Sequence, residues 1–103
     1  MAQLGNPFIA TVPKQLSGGE LAQAIRADIA GEWEAIIGYE AHAMATNDER
    51  VKKILYHISE EEKHHVGELQ ELLAILNPQE GQAIEAGKQE VQTARANNFQ
   101  QMQ

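Results

Sequence analysis

The chain contains no cysteine, and that absence removes several chemistries at once. A disulfide framework, a thiolate zinc site, an iron–sulfur cluster and a cysteine nucleophile all need the missing residue. Basic residues are few: Lys and Arg total 8 against 15 Asp and Glu, for a formal charge of −7. Phosphate binding needs clustered Lys and Arg, which argues against nucleic acid as a partner. The acidic balance suits attraction of cations instead. No apolar run approaches the roughly 20 residues that span a bilayer, which argues against a membrane. No basic-then-apolar signal peptide opens the chain, so the expected compartment is the cytoplasm. A length of 103 residues fits one domain.

Proline is scarce too, and its three positions mark boundaries. Residues 1–16 hold two of the three prolines and show no helical period, so they read as an N-terminal arm. Ser17-x-x-Glu20 is a capping box ahead of a long periodic segment that runs to about Thr46. Thr46-x-x-Glu49 is a second capping box, which makes Thr46-Asn47-Asp48 a tight break. A second segment runs from about Asp48 to Leu76. Asn77-Pro78 ends it, because a residue before proline leaves the helical region. Asn77 also caps a third helix, with Pro78 in its first position and Glu80 as the box partner. That stretch holds Gly81 and Gly87 and few large apolar residues, so a shorter helix to about Ala96 is expected. The helical domain is then 17–96, followed by a polar, frayed tail over 97–103.

The predicted fold class is all-α. Each long segment spans nearly 30 residues, or on the order of 40 Å. Two such helices in a hairpin bury a single seam, and roughly four are the usual stable number. The most economical completion is a four-helix bundle made by homodimerisation.

Stepping by threes and fours along the second segment gives Leu55, Ile58, Glu62, His65, Leu69, Leu72 and Leu76. This is a coiled-coil seam with two ionisable groups at its middle. The first segment gives Ala22, Ile25, Ile29, Glu32, Ile36, Tyr39 and Ala43. With a turn near residue 47, Glu32 lies 15 positions before it and Glu62 15 after, so the two should be level. Buried unpaired charge costs several kcal/mol. Neither row offers Lys or Arg, and a metal ion is the partner that suits two carboxylates and an imidazole. Glu62-x-x-His65 puts both side chains on one helix face. In di-iron bundles two helices each give a Glu, and the other two each give Glu-x-x-His. One chain therefore supplies half a site, and two chains would bring four carboxylates to balance two divalent cations. An acidic helical dimer with a polar register-setting pair remains the plainer alternative.

Other residues carry less. Tyr39 is a core residue with a chance of bonding a metal ligand. Trp33 and Tyr56 are packing or interface residues. His42 is a surface residue, and the row His57, Glu61, His64, Glu68 is a solvated face. Glu40 lies off the seam and reads as solvated. Glu34 is also off the seam, facing either solvent or a second chain.

The stretch GEWEAIIGYEAHAMATNDERVKKILYHISEEEKHHVGELQELL resembles the encapsulated ferritins, including the ferritin-like domains fused to encapsulin shells. The similarity spans about residues 18–95 and rests on the Glu32 to Tyr39 spacing, the break near residue 47, and EEKHH. The resemblance implies a homodimer that shares two bridged iron ions, with Glu32, Glu62 and His65 as catalytic metal ligands and Tyr39 nearby. It implies ferroxidase activity, in which dioxygen oxidises Fe(II), and a ring of five dimers. An encapsulin nanocompartment would hold the iron store. Gly38 stands where close relatives carry tryptophan, and Gly31 where they carry a further acidic residue. Glu34 alone matches the acidic position for cation access. The tail NNFQQMQ does not resemble the targeting peptide of free encapsulin cargo.

Carboxylates with imidazole suit iron, and zinc, manganese or calcium can substitute. Two competing functions follow from the same site. One is rubrerythrin-like peroxide reduction, although the cysteine-bound iron that relays electrons there has no counterpart without cysteine. The other is a non-catalytic metal-binding helical scaffold.

Overall fold

The computed structural model describes residues 14–95, so most of the proposed arm and the tail lie outside the described residues. Three helices follow one another: α1 (Gly18–Met44), α2 (Glu49–Leu76) and α3 (Pro78–Ala94). No strand occurs among the described residues, and the fold is all-α.

Each helix begins where its side chains can satisfy free backbone N–H groups. Ser17 Oγ accepts from the Glu20 N–H at 3.1 Å, and Glu20 accepts from the Ser17 N–H at 2.9 Å, which completes the first capping box. The second cap differs from expectation. Asp48, not Thr46, caps α2, its Oδ1 accepting from the Arg50 and Val51 N–H groups. Thr46 instead accepts from the Asp48 N–H at 3.1 Å and so tightens the turn. A carboxylate competes well here because its negative charge also meets the positive end of the helix dipole. Asn77 caps α3 by accepting from the Glu80 N–H, with Pro78 in the first turn.

α1 and α2 form an antiparallel hairpin. Ala22, Ile25 and Leu73 are buried together at its open end, with Ile29 and Leu69 packed on them. The α1 row is as anticipated: Ala22, Ile25, Ile36 and Ala43 are buried, and Ile29, Glu32 and Tyr39 are partly so. The α2 row is not. Ser59, Val66 and Leu73 are its buried residues, beside the half-buried Leu55, Glu62 and Leu69. At 100° per residue, Ile58, His65, Leu72 and Leu76 lie on the flank of α2, about a quarter turn off the seam. Leu72 and Leu76 are exposed there, together with Val51 and Ile54.

α3 buries no residue and packs on α2, where Gly81 meets Ala74. Its start is tied to α1 by the Arg26 guanidinium, which donates to both carboxylate oxygens of Glu80, at 2.8 Å from Nε. The hairpin is thin. The Cα radius of gyration is 17.6 Å, where a compact chain of about this length has roughly 13 Å.

Candidate metal centre

The two long helices carry ionisable groups on opposite sides of their seam, and the two sides are neutralised differently. On the side away from the α2 flank, Ser59 donates its hydroxyl to Glu40 Oε2 at 2.6 Å. Lys63 reaches the same oxygen at 3.3 Å and Glu60 at 2.8 Å. The hydroxyl and the ammonium hold the Glu40 carboxyl below its ordinary range. Glu40 is thus not simply solvated, as its place off the α1 row suggested. It closes a polar clamp over a serine that is 1% exposed.

On the other side, Glu32 from α1 meets Glu62 and His65 from α2. One ligand atom from each lies within 4.8 Å of those of the other two. His65 Nδ1 is 3.0 Å from Glu32 Oε2 and 3.5 Å from Glu62 Oε1. The level placement expected of Glu32 and Glu62 is therefore present. Side-chain exposure is 24% for Glu32, 18% for Glu62 and 51% for His65. No Lys or Arg pairs with this trio among the described residues. Burial, and then the neighbouring Glu32, push the Glu62 carboxyl above its ordinary value. The hydrogen bond to Glu32 raises the His65 imidazole. Both shifts say that the cluster retains protons when no other cation is present.

The trio opens into a groove of about 570 Å³ between the helices. Gly31 and Ala35 keep the α1 wall low, and Tyr39 and Leu69 close one end each. Two acidic residues at the rim were missed from the sequence. Asp28, one turn before Glu32, has its carboxyl raised by burial and then by Glu32. Glu68, one turn after His65, also lines the groove, although it shares the exposed row of His57, Glu61 and His64. The i,i+4 spacing of Asp28 and Glu32 and the i,i+3 spacing of His65 and Glu68 were the available signals. Glu34 and Trp33 do not line the groove; both are exposed elsewhere on α1.

Two carboxylates and an imidazole nitrogen, converging without a cationic side chain, form a hard oxygen and nitrogen donor set. That set fits a divalent first-row metal. One protomer leaves its outward face open. Three ligands fall short of the coordination such an ion takes, and the rest can come from water or a second chain.

Comparison with known proteins places the chain in a family. Residues 19–84, more than half of the chain, match the family model described as Ubiquinone biosynthesis protein COQ7, a ferritin-like family. The chain is 43% identical over 75 residues to the encapsulin nanocompartment cargo protein EncC of Myxococcus xanthus, which covers 73% of this chain and 58% of that protein. It is 38% identical over 86 residues to the ferritin-like-encapsulin shell fusion protein of Pyrococcus furiosus, covering 84% of this chain and 25% of the fusion. The chain thus spans little more than half of one of these relatives and a quarter of the other. The crystal structure of the encapsulated ferritin domain from Pyrococcus furiosus superposes with a TM-score of 0.75, at 38% identity, over 85% of this chain and 90% of that one. The helical hairpin, its convergent acid–acid–imidazole trio and these matches lead to one conclusion: the chain belongs to the ferritin-like proteins described by the COQ7 model and, among them, to the encapsulated ferritins.

Proposed function

We propose that the chain is a ferroxidase that binds Fe(II) as substrate and oxidises it to Fe(III) with dioxygen. Two chains meet across the open groove, and each contributes Glu32, Glu62 and His65 to a shared pair of iron ions. The observation that carries this reading is the meeting of those three side chains without a Lys or Arg to neutralise them.

Charge supports the pairing. Two copies place four carboxylates around two divalent ions, which leaves a neutral centre in a partly buried site. Oxidation raises the metal charge, and a carboxylate-rich set favours that higher charge. Glu32 and Glu62 would hold the ions through their carboxylates, and His65 through its imidazole. His65 is half exposed in one chain, and Val51, Ile54, Leu72 and Leu76 are exposed along the same flank. A second copy laid on this flank covers the apolar residues and completes the metal's ligands in one step.

Dioxygen takes the electrons: two Fe(II) and two protons reduce it to hydrogen peroxide. A helical hairpin has no closed cavity for mineral, so storage falls to a surrounding compartment. The likeness to an encapsulin cargo protein and to an encapsulin fusion protein supports an encapsulin shell in that role. No helix among the described residues is long and apolar enough to cross a membrane.

The test is Fe(II) titration in air, with absorbance of the ferric product and oligomer size followed together. About one iron per chain is expected, and metal should tighten the dimer because binding free energy is then assembly free energy. Glu62→Ala and His65→Ala should abolish oxidation. Unchanged rates in both variants would reject the assignment. Faster turnover with hydrogen peroxide than with dioxygen would move it to the peroxide-reducing reading.

A further inference from the structure

We propose that Glu40 and Ser59 are positioning residues for the metal centre: their hydrogen bond sets the register that keeps Glu32 level with Glu62 and His65. The inference rests on the metal-centre reading above. Among the described residues, side chains of α1 and α2 are hydrogen-bonded to each other at two places, Glu32 to His65 and Glu40 to Ser59. Both belong to one register of the hairpin.

The rest of the seam sets register weakly. The short connection from Met44 to Glu49 excludes large slips, but the Ile, Leu, Val and Ala side chains of the seam resist small shifts and rotations only weakly. A single polar pair in such a seam selects one alignment, because every slipped alignment strands a buried polar group. Ser59 is that group: it is 1% exposed, and its hydroxyl goes to Glu40 at 2.6 Å. The metal side sets register less firmly, since His65 is half exposed and water can replace its contact with Glu32 when the helices shift. Lys63 is placed to make the clamp independent of metal. It follows Glu62 directly, so it points about 100° round the helix, to the clamp side, and there it pairs with Glu40 at 3.3 Å. Ser59 stands one turn before Glu62 on α2. A shift at Ser59 is therefore transmitted along a rigid helix to both α2 ligands.

The experiment measures Co(II) binding to the full chain by its visible ligand-field bands and by chelator competition, with helicity followed by circular dichroism. Ser59→Ala and Glu40→Ala should each weaken Co(II) binding about tenfold and alter the band positions, with helix content kept. Glu40→Gln retains an oxygen to accept from Ser59 and should restore both readouts. A purely structural contact predicts something else: a lower unfolding temperature with unchanged Co(II) affinity and spectrum in both alanine variants. That result would overturn the inference and leave the ferroxidase reading intact. Failure of the unsubstituted chain to bind Co(II) would overturn the metal centre, and this inference with it.

Discussion

Glu62→Gln should move stability in opposite directions with and without metal. In the metal-free protein the Glu32 and Glu62 carboxylates approach within 4.8 Å. At an effective dielectric constant of about 20, two unit charges at that distance repel by roughly 3 kcal/mol. Water reaches both groups, and a protonated His65 beside them offsets part of the repulsion, so about 1–2 kcal/mol is the expected net cost. Glutamine removes one charge and keeps the shape, and its amide N–H can donate to Glu32 as protonated Glu62 would. In the presence of a chelator the variant should therefore resist urea better than the unsubstituted protein. With Mn(II) or Zn(II) the order should reverse. The unsubstituted chain then gains RT ln(1 + [L]/Kd), about 2.7 kcal/mol at a hundredfold excess over Kd, and the variant gains little of it. Paired urea titrations measured in chelator and in metal give both differences. A variant that is less stable in chelator would show that the two carboxylates do not oppose each other, and the argument for a missing cation would lose its footing.

The metal-free protein should be most stable in the mildly acidic range. The raised carboxyl of Glu62 and imidazole of His65 bind more protons folded than unfolded, so they favour folding at low pH. That contribution is lost as pH climbs from their ordinary values of 4.5 and 6.5 through the raised ones. The depressed carboxyls of Glu40, Glu80 and Asp48 act oppositely, losing their contribution as pH falls below about 4. Thermal melts in chelator should peak between about pH 5 and 6 and decline towards pH 8; a steady rise to pH 8 would contradict this. Metal should reverse the upper limb, because binding needs deprotonated ligands. In α3, Gly81→Ala and Gly87→Ala share the same gain in helix propensity, about 1 kcal/mol. A Cβ at Gly81 would stand 2.7 Å from Ala74 Cβ, whereas one at Gly87 meets nothing within 4 Å. Hydrogen exchange of the α3 amides should therefore be slower for Gly87→Ala than for Gly81→Ala by the overpacking cost alone, about 1–3 kcal/mol. Equal protection would mean that α3 does not sit on α2 at that point.

The helix ends were largely legible because capping is local chemistry. Ser17 with Glu20, and Asn77 with Pro78 and Glu80, act within a single turn of backbone. At the middle turn two side chains compete for the same donors, and spacing cannot rank a hydroxyl against a carboxylate; Asp48 takes the cap and Thr46 the turn. The α2 seam was misread for a related reason. Rows through Ile58, His65 and Leu72 and through Ser59, Val66 and Leu73 share Leu55, Glu62 and Leu69. Hydrophobicity does not separate them, since the first has isoleucine where the second has serine, and histidine where the second has valine. The structure buries the second, because Ser59 finds Glu40 on the other helix, a partner 19 residues away that no local pattern names. The trio survived the misreading because Glu62 belongs to both rows and His65 lies one step off the seam, still within reach of Glu32.

That misplaced row bears on the dimer proposed above. Of the eight buried hydrophobic residues among those described, Ala22, Ala24, Ala27 and Ala43 are alanines, and the large side chains of the α2 flank are among the exposed ones. One hairpin can bury either row but not both, and this one buries the row that carries Ser59. The flank that remains, with Leu72, Leu76 and Ile54 beside His65, combines apolar area with an incomplete ligand set on a single surface. On the proposed reading, assembly and metal loading then cannot be separated by mutation on this flank. Removing Leu72 weakens the dimer and lowers metal affinity, and removing His65 lowers metal affinity and weakens the dimer, because each ligand set is finished only when the apolar surface is covered. The clamp side is where the two can be told apart, since Glu40, Ser59 and Lys63 act within one chain and touch neither the flank nor the ions.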